Sequence, residues 1–185
     1  MMLSSVLIVF LQLCSLQLIV DSRPTCRLQG DLVKSAHDQL RDLGGEFPIH
    51  CLPYNANISF PSSALTPAAN HLQCGRVLSM VNESLWEAGQ MFDDPDATFP
   101  TTWDEDKLDL FLSLQDRIMR GASCLSSGSS VLTPYFQSVA AVVKQQESSD
   151  CGWMALRRDL LLFLKSILQT HHSCFTWRSA SNKRL

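Results

Sequence analysis

Cys151-Gly-Trp-Met-Ala-Leu-Arg-Arg-Asp-Leu-Leu-Leu-Phe-Leu-Lys-Ser-Ile-Leu-Gln-Thr-His-His-Ser-Cys-Phe-Thr-Trp177 is the stretch that decides the fold. Leu156, Leu160, Phe163, Leu164, Ile167 and His171 recur at helical spacing on one stripe, with Arg158, Lys165 and Gln169 roughly opposite, so the stripe packs inward. Leu160 to Leu164 are apolar nearly all round, more than one buried face needs; this part of the helix sits deep in a bundle or meets a partner. A cysteine stands at each end, and where disulfides persist Cys151 and Cys174 can pin both ends of the helix to other parts of the chain.

Working outward, Leu28, Leu32, Val33, Ala36, Leu40 and Leu43 make a first helical stripe from about Arg27, stopped by Gly44-Gly45. From Glu46 to Ala64 the chain has Pro48, Pro53 and Pro61 and no steady period, a long loop that needs a function or a tether, and Cys51 can be the tether. Thr66-Pro67 opens a second helix near Ala68 to Phe92, and Thr102 with Glu105 reads as a capping box for a third that stops at Gly121. Ser126 to Ser130 is a flexible joint, Thr133-Pro134 opens a fourth helix to about Gln146, and Asp150 caps the last. No stretch alternates as a strand does, so the fold is expected to be all-α.

Short connections join the later helices, but about twenty residues separate the first two. If those two run parallel, the layout is an up-up-down-down bundle with long crossovers and an additional helix in the last crossover. Cys51 and Cys151 then lie together at one end and must pair, while Cys26, Cys74, Cys124 and Cys174 lie at the other and pair among themselves.

The redox compartment follows from the N-terminus. Val6 to Val20 is a mostly apolar run with no Lys or Arg before it, long enough to be weighed as an anchor, and Val20 and Ser22 are small residues suited to a signal cleavage after Ser22. The expected organisation is a signal peptide over 1–22, a helical domain over 23–177 and a basic, disordered tail over 178–185. Removing the signal takes away Cys14 and leaves six of the seven cysteines, an even number without any C-x-x-C. The sequons Asn57-Ile-Ser and Asn82-Glu-Ser suit a secretory route. Formal charge moves from −3 to −2 with the loss of Asp21, too near neutral to argue for nucleic acid or an anionic membrane as partner.

Tyr135-Phe-Gln-Ser-Val-Ala-Ala-Val-Val-Lys-Gln-Gln-Glu-Ser-Ser-Asp-Cys-Gly-Trp153 resembles the type I interferon signature, in which two aromatics, a small residue and an aliphatic lead after a spacer to Cys-Ala-Trp or Cys-Thr-Trp. Tyr135, Phe136, Ser138, Val139, Cys151 and Trp153 match; Val142, Val143 and Gly152 depart, which suggests a distant branch such as the fish interferons. The resemblance implies a secreted, monomeric antiviral helical cytokine that binds two class II cytokine receptor chains and acts through JAK–STAT signalling. It also implies the pairs Cys26–Cys124 and Cys51–Cys151, leaving Cys74–Cys174 as a third by position. Leu52 and Arg157 match positions at which the family binds its high-affinity receptor chain, and Leu161 and Leu162 fall in the same patch. Where the family has an arginine four residues after the loop cysteine, this chain has Asn55.

Each of these has a plainer reading. Leu161 and Leu162 can be core residues and Arg157 a solvated charge. His171, His172 and Cys174 resemble a metal cluster, but adjacent helical histidines point about 100° apart, and a bridged Cys174 is not a ligand, so no metal or cofactor is expected. The chain has no G-x-S-x-G, no H-E-x-x-H and no glycine-rich phosphate loop. A secreted hydrolase with His50 as base, the opposing reading alongside another four-helix cytokine, lacks a nucleophile if Cys51 is bridged.

Overall fold

The stripe on the last helix becomes the middle of the core, with Leu156, Leu160, Leu164 and Ile167 fully buried. The computed structural model describes residues 27–61, 71–122, 124–125, 131–145 and 147–178, and only the backbone of 71–73. The helices among them are α1 (Gly30–Asp42), α2 (Leu52–Asn55), α3 (His71–Phe92), α4 (Glu105–Gly121), α5 (Thr133–Val143) and α6 (Ser149–Thr170). Short 3-10 turns at Ile49–Cys51 and His172–Cys174 flank α2 and follow α6. The expected signal and its cleavage point, Cys26, the Thr66-Pro67 start, the Ser126 to Ser130 joint and the tail beyond Arg178 lie outside the described residues.

Helix directions follow from three contacts. The Asp104 amide donates to Leu43 O (2.7 Å), so α4 starts where α1 ends. The Gly30 amide donates to Thr176 O (2.8 Å), and Cys74 is joined to Cys174, so α1 and α3 both start where α6 finishes. Thus α1 and α3 rise, α4 and α6 descend, and α5 climbs back between them. α6 packs on α1 and α5, α1 on α4, and α3 on α4 and α5. This is an all-α, up-up-down-down cytokine bundle with an extra helix in the last crossover.

Local starts differ from the sequence reading for identifiable reasons. α1 begins at Gly30 and not near Arg27, because Leu28 and Gln29 are engaged with the segment after α6: the Thr176 amide donates to Leu28 O (2.9 Å), closing an isolated parallel bridge. The cap of α4 is Asp104 and not Thr102; its carboxylate accepts from the Lys107 amide (3.1 Å), while Thr102 is held in a turn in which the Trp103 amide reaches Pro100 O. Ser148 and not Asp150 precedes α6, its hydroxyl reaching back to Val142 O and Gln145 Oε1 (3.2 Å each), which leaves Asp150 inside the first turn, where the helix dipole favours an acid.

One close approach replaces a methyl group. A Cβ on Gly152 would lie 2.5 Å from Val143 Cγ2 and 2.8 Å from Val143 N, so the α5–α6 corner closes only because position 152 is glycine. Among the described residues no helix is long and apolar enough to cross a membrane.

Candidate functional site

The head of α6 is where the long loop meets the bundle. Cys51 and Cys151 form a disulfide with their Cα atoms 5.1 Å apart, and the Asn55 side-chain amide donates to Cys151 O (3.2 Å). Cys51, Asn55 and Ile58 are buried and hold the loop from inside. Their neighbours point out: Ile49 is 83% exposed, Leu52 56% and Tyr54 42%. Three large apolar side chains on one short rigid segment are an unusual use of surface, since loops in contact only with water are built from polar residues.

Behind this knob an aromatic cluster fixes the helix head. Trp153 is buried, stacks on Phe92 (5.2 Å between centroids) and donates its indole N–H to Thr98 O (2.9 Å). Phe99 and Trp103 complete the cluster, and Trp103 points its own N–H at the Met154 sulfur (3.4 Å). Lower on α6, Asp159 is buried and accepts from Tyr135 Oη (3.2 Å) and Arg158 Nε (2.7 Å). Burial, then the Asp159 charge, pushes the Tyr135 phenol well above the usual tyrosine range. Arg158 also lies over the Phe47 ring, 5.0 Å from its centroid, so a charge on α6 packs against the loop.

The structure separates the four residues grouped by the sequence reading. Leu52 and Leu162 are outward, the latter 62% exposed; Leu161 is half-buried against the core. Arg157 is 9% exposed and therefore not the solvated charge of the plainer reading. It donates from Nε to Leu40 O (2.7 Å), from Nη1 to Gly45 O (2.8 Å) and from Nη2 to Arg41 O (2.7 Å). Burial lowers its pKa from the ordinary arginine value, and three main-chain carbonyls replace its water.

Of the two sequons, Asn57 is exposed, whereas Asn82 is buried in the middle of α3. Cys174 is spent on its bridge to Cys74, which removes its sulfur as a ligand, and the His172 ring stacks on Trp177 (4.2 Å, 7°). His50 lies beside Cys51 and Cys151, but both sulfurs belong to the disulfide, so neither metal binding nor a thiol nucleophile is open to that trio. Cys124 is also disulfide-bonded; its expected partner Cys26 lies outside the described residues. Sequence reasoning missed Ile49 and Tyr54, although Pro48-Ile-His-Cys-Leu-Pro-Tyr54 brackets a tethering cysteine with apolar residues, a signal in itself.

Five longer helices in this order, a crossover loop tied to the last helix and a buried Cys-x-Trp at its head define a helical cytokine. The interferon alpha/beta domain model matches residues 28–173, and the chain belongs to the type I interferon family, whose members are cytokines and not enzymes. Human interferon omega-1 is 25% identical over an alignment of 138 residues that covers 66% of this chain and 69% of that protein. The structure of zebrafish interferon 2 superposes with a TM-score of 0.65 at 26% identity, covering 78% of this chain and 99% of the other.

Proposed function

We propose that this chain is a secreted, monomeric antiviral cytokine that joins two class II cytokine receptor chains and switches on JAK–STAT signalling and antiviral genes. The observation that carries the receptor surface is the exposed apolar knob Ile49, Leu52 and Tyr54, clamped by Cys51–Cys151 to the helix that also presents Leu162. Aromatic and aliphatic side chains on a rigid support bind at low entropic cost, and a bundle has lateral faces enough for two ectodomains without any chemistry of its own. Secretion after cleavage following Ser22 and a glycan at Asn57 belong to the same reading.

The test treats responsive cells with the purified mature protein and measures STAT phosphorylation. Leu52→Ala and Leu162→Ala are each expected to lower potency about tenfold, equivalent to about 1.4 kcal/mol of binding, with unchanged melting temperature because both side chains are exposed. Leu161→Ala, half in the core, should instead lose stability by about 2 kcal/mol, the low end for a core truncation. A protein that induces no STAT phosphorylation at about 1 μM, far above the affinity of a specific cytokine, would defeat the proposal.

A further inference from the structure

Two polar side chains that the family resemblance places among the receptor contacts face inward in this molecule. Asn55 stands where the family has its loop arginine, yet it is buried and its amide is used on Cys151 O. Arg157 is buried too, and its three donating nitrogens end on Leu40, Arg41 and Gly45 carbonyls. Leu40 and Arg41 lie in the last turn of α1, whose carbonyls have no partner within the helix. Gly45 is the first loop residue beyond the Gly44 corner, where a Cβ would strike Thr102 O. The guanidinium therefore closes the end of α1 and fixes the direction in which the loop leaves it. Asn55 does the same at the far side of the knob, and between the two anchors lie Ile49, Leu52 and Tyr54.

We propose that Arg157 and Asn55 are positioning residues: they hold the entry and exit of the Ile49 to Tyr54 knob, and the receptor reads the knob instead of touching either of them. This rests on the receptor reading above. The chemistry favours arginine for the task, because its planar fork offers donors in more than one direction, whereas a lysine ammonium is a single point that cannot serve three separated carbonyls. Preformed loops bind more tightly than loose ones because less ordering is left to do on contact. The partner surface implied is apolar, matched to Ile49, Leu52 and Tyr54, with no acidic pocket for an arginine.

The experiment is a double-mutant cycle on the full mature chain, read as the concentration giving half-maximal STAT phosphorylation, with native-state hydrogen exchange of the same proteins. Arg157→Met, similar in length but without donors, should weaken potency about tenfold alone and less than about twofold when Leu52→Ala is already present, because residues acting through one site are not additive. The Cys51 and Leu52 amides, which donate to Pro48 O and Ile49 O at the base of the knob, should exchange faster at a temperature where the protein is fully folded. Arg157→Lys should fall between native and Met, and Asn55→Ser should show the same coupling to Leu52→Ala; these two variants serve if Arg157→Met does not fold. A residue that only stabilised the bundle would shift the melt without coupling to Leu52. Additive losses for Arg157→Met and Leu52→Ala, or unchanged exchange at the Cys51 and Leu52 amides, would overturn the inference. A silent Leu52→Ala would remove the knob from the receptor surface, while exchange would still decide whether Arg157 and Asn55 hold it.

Discussion

Replacing Gly152 with alanine sets two effects of known sign against each other. In a helix interior, alanine is favoured over glycine by about 0.5–1 kcal/mol, because it loses less backbone freedom on folding. Against this, the new methyl group would sit 2.5 Å from Val143 Cγ2, 2.8 Å from Val143 N and 3.1 Å from Val143 Cα, with backbone among the atoms that must move. Overpacking of this kind costs about 1–3 kcal/mol, so the net expected loss runs from near zero to about 2.5 kcal/mol, a fall of up to about 10 °C in melting temperature for a domain of this size. Gly75 on α3 is the control, being exposed with nothing within 4 Å of its added Cβ. Gly75→Ala should raise the melt by about 1–4 °C, since only the helix preference operates there. Adding Val143→Ala to Gly152→Ala should recover part of the loss and not all of it, as the backbone nitrogen remains. Circular dichroism melts of the four proteins suffice; a Gly152→Ala that melts higher, as Gly75→Ala does, refutes the close approach of α5 and α6.

Two further outcomes follow from the covalent and buried polar groups. Cys51 and Cys151 are 100 residues apart, so by the chain-entropy argument the double serine variant should lose about 4.7 kcal/mol in urea unfolding, enough to leave a domain of ordinary stability marginal; a loss below about 1 kcal/mol would show that the bridge does not restrain the unfolded chain. Tyr135 has its pKa raised by burial and by Asp159, so the stability it contributes is fully present below about pH 10, the ordinary tyrosine value, and is lost above it as the unfolded chain ionises. In an alkaline titration followed at the phenolate absorbance, Tyr135→Phe should therefore remove signal from the unfolding transition and none from the folded baseline.

What the sequence made legible was whatever repeats with a period. The stripes of α1, α3, α4, α5 and α6 gave the helices, and loop lengths with cysteine positions gave the topology, because burial of one face and the reach of a loop both leave marks in the order of residues. The starts of α1, α4 and α6 were less legible, since Leu28, Thr102 and Ser148 are each drawn off by contacts with residues distant in sequence or by a tight turn. Arg157 was the least legible of all. A charge on a helix has no periodic mark that tells a solvent-facing side chain from one satisfying carbonyls more than a hundred residues upstream. Asn55 misled for a related reason: a short amide where the family has a long cation reads as a weakened contact, and only the fold shows that it points the other way.

The parallel bridge between Gln29 and Thr176 has a practical consequence for anyone attaching this domain to something else. The two ends of the described domain leave side by side at the foot of α6, whose 22 residues carry its head about 33 Å away. A tether, label or carrier fused to either end would therefore hang from the face opposite the loop, leaving Ile49 to Tyr54 free to meet a cell surface. The same adjacency makes the domain suited to circular permutation: a short linker could join the old ends.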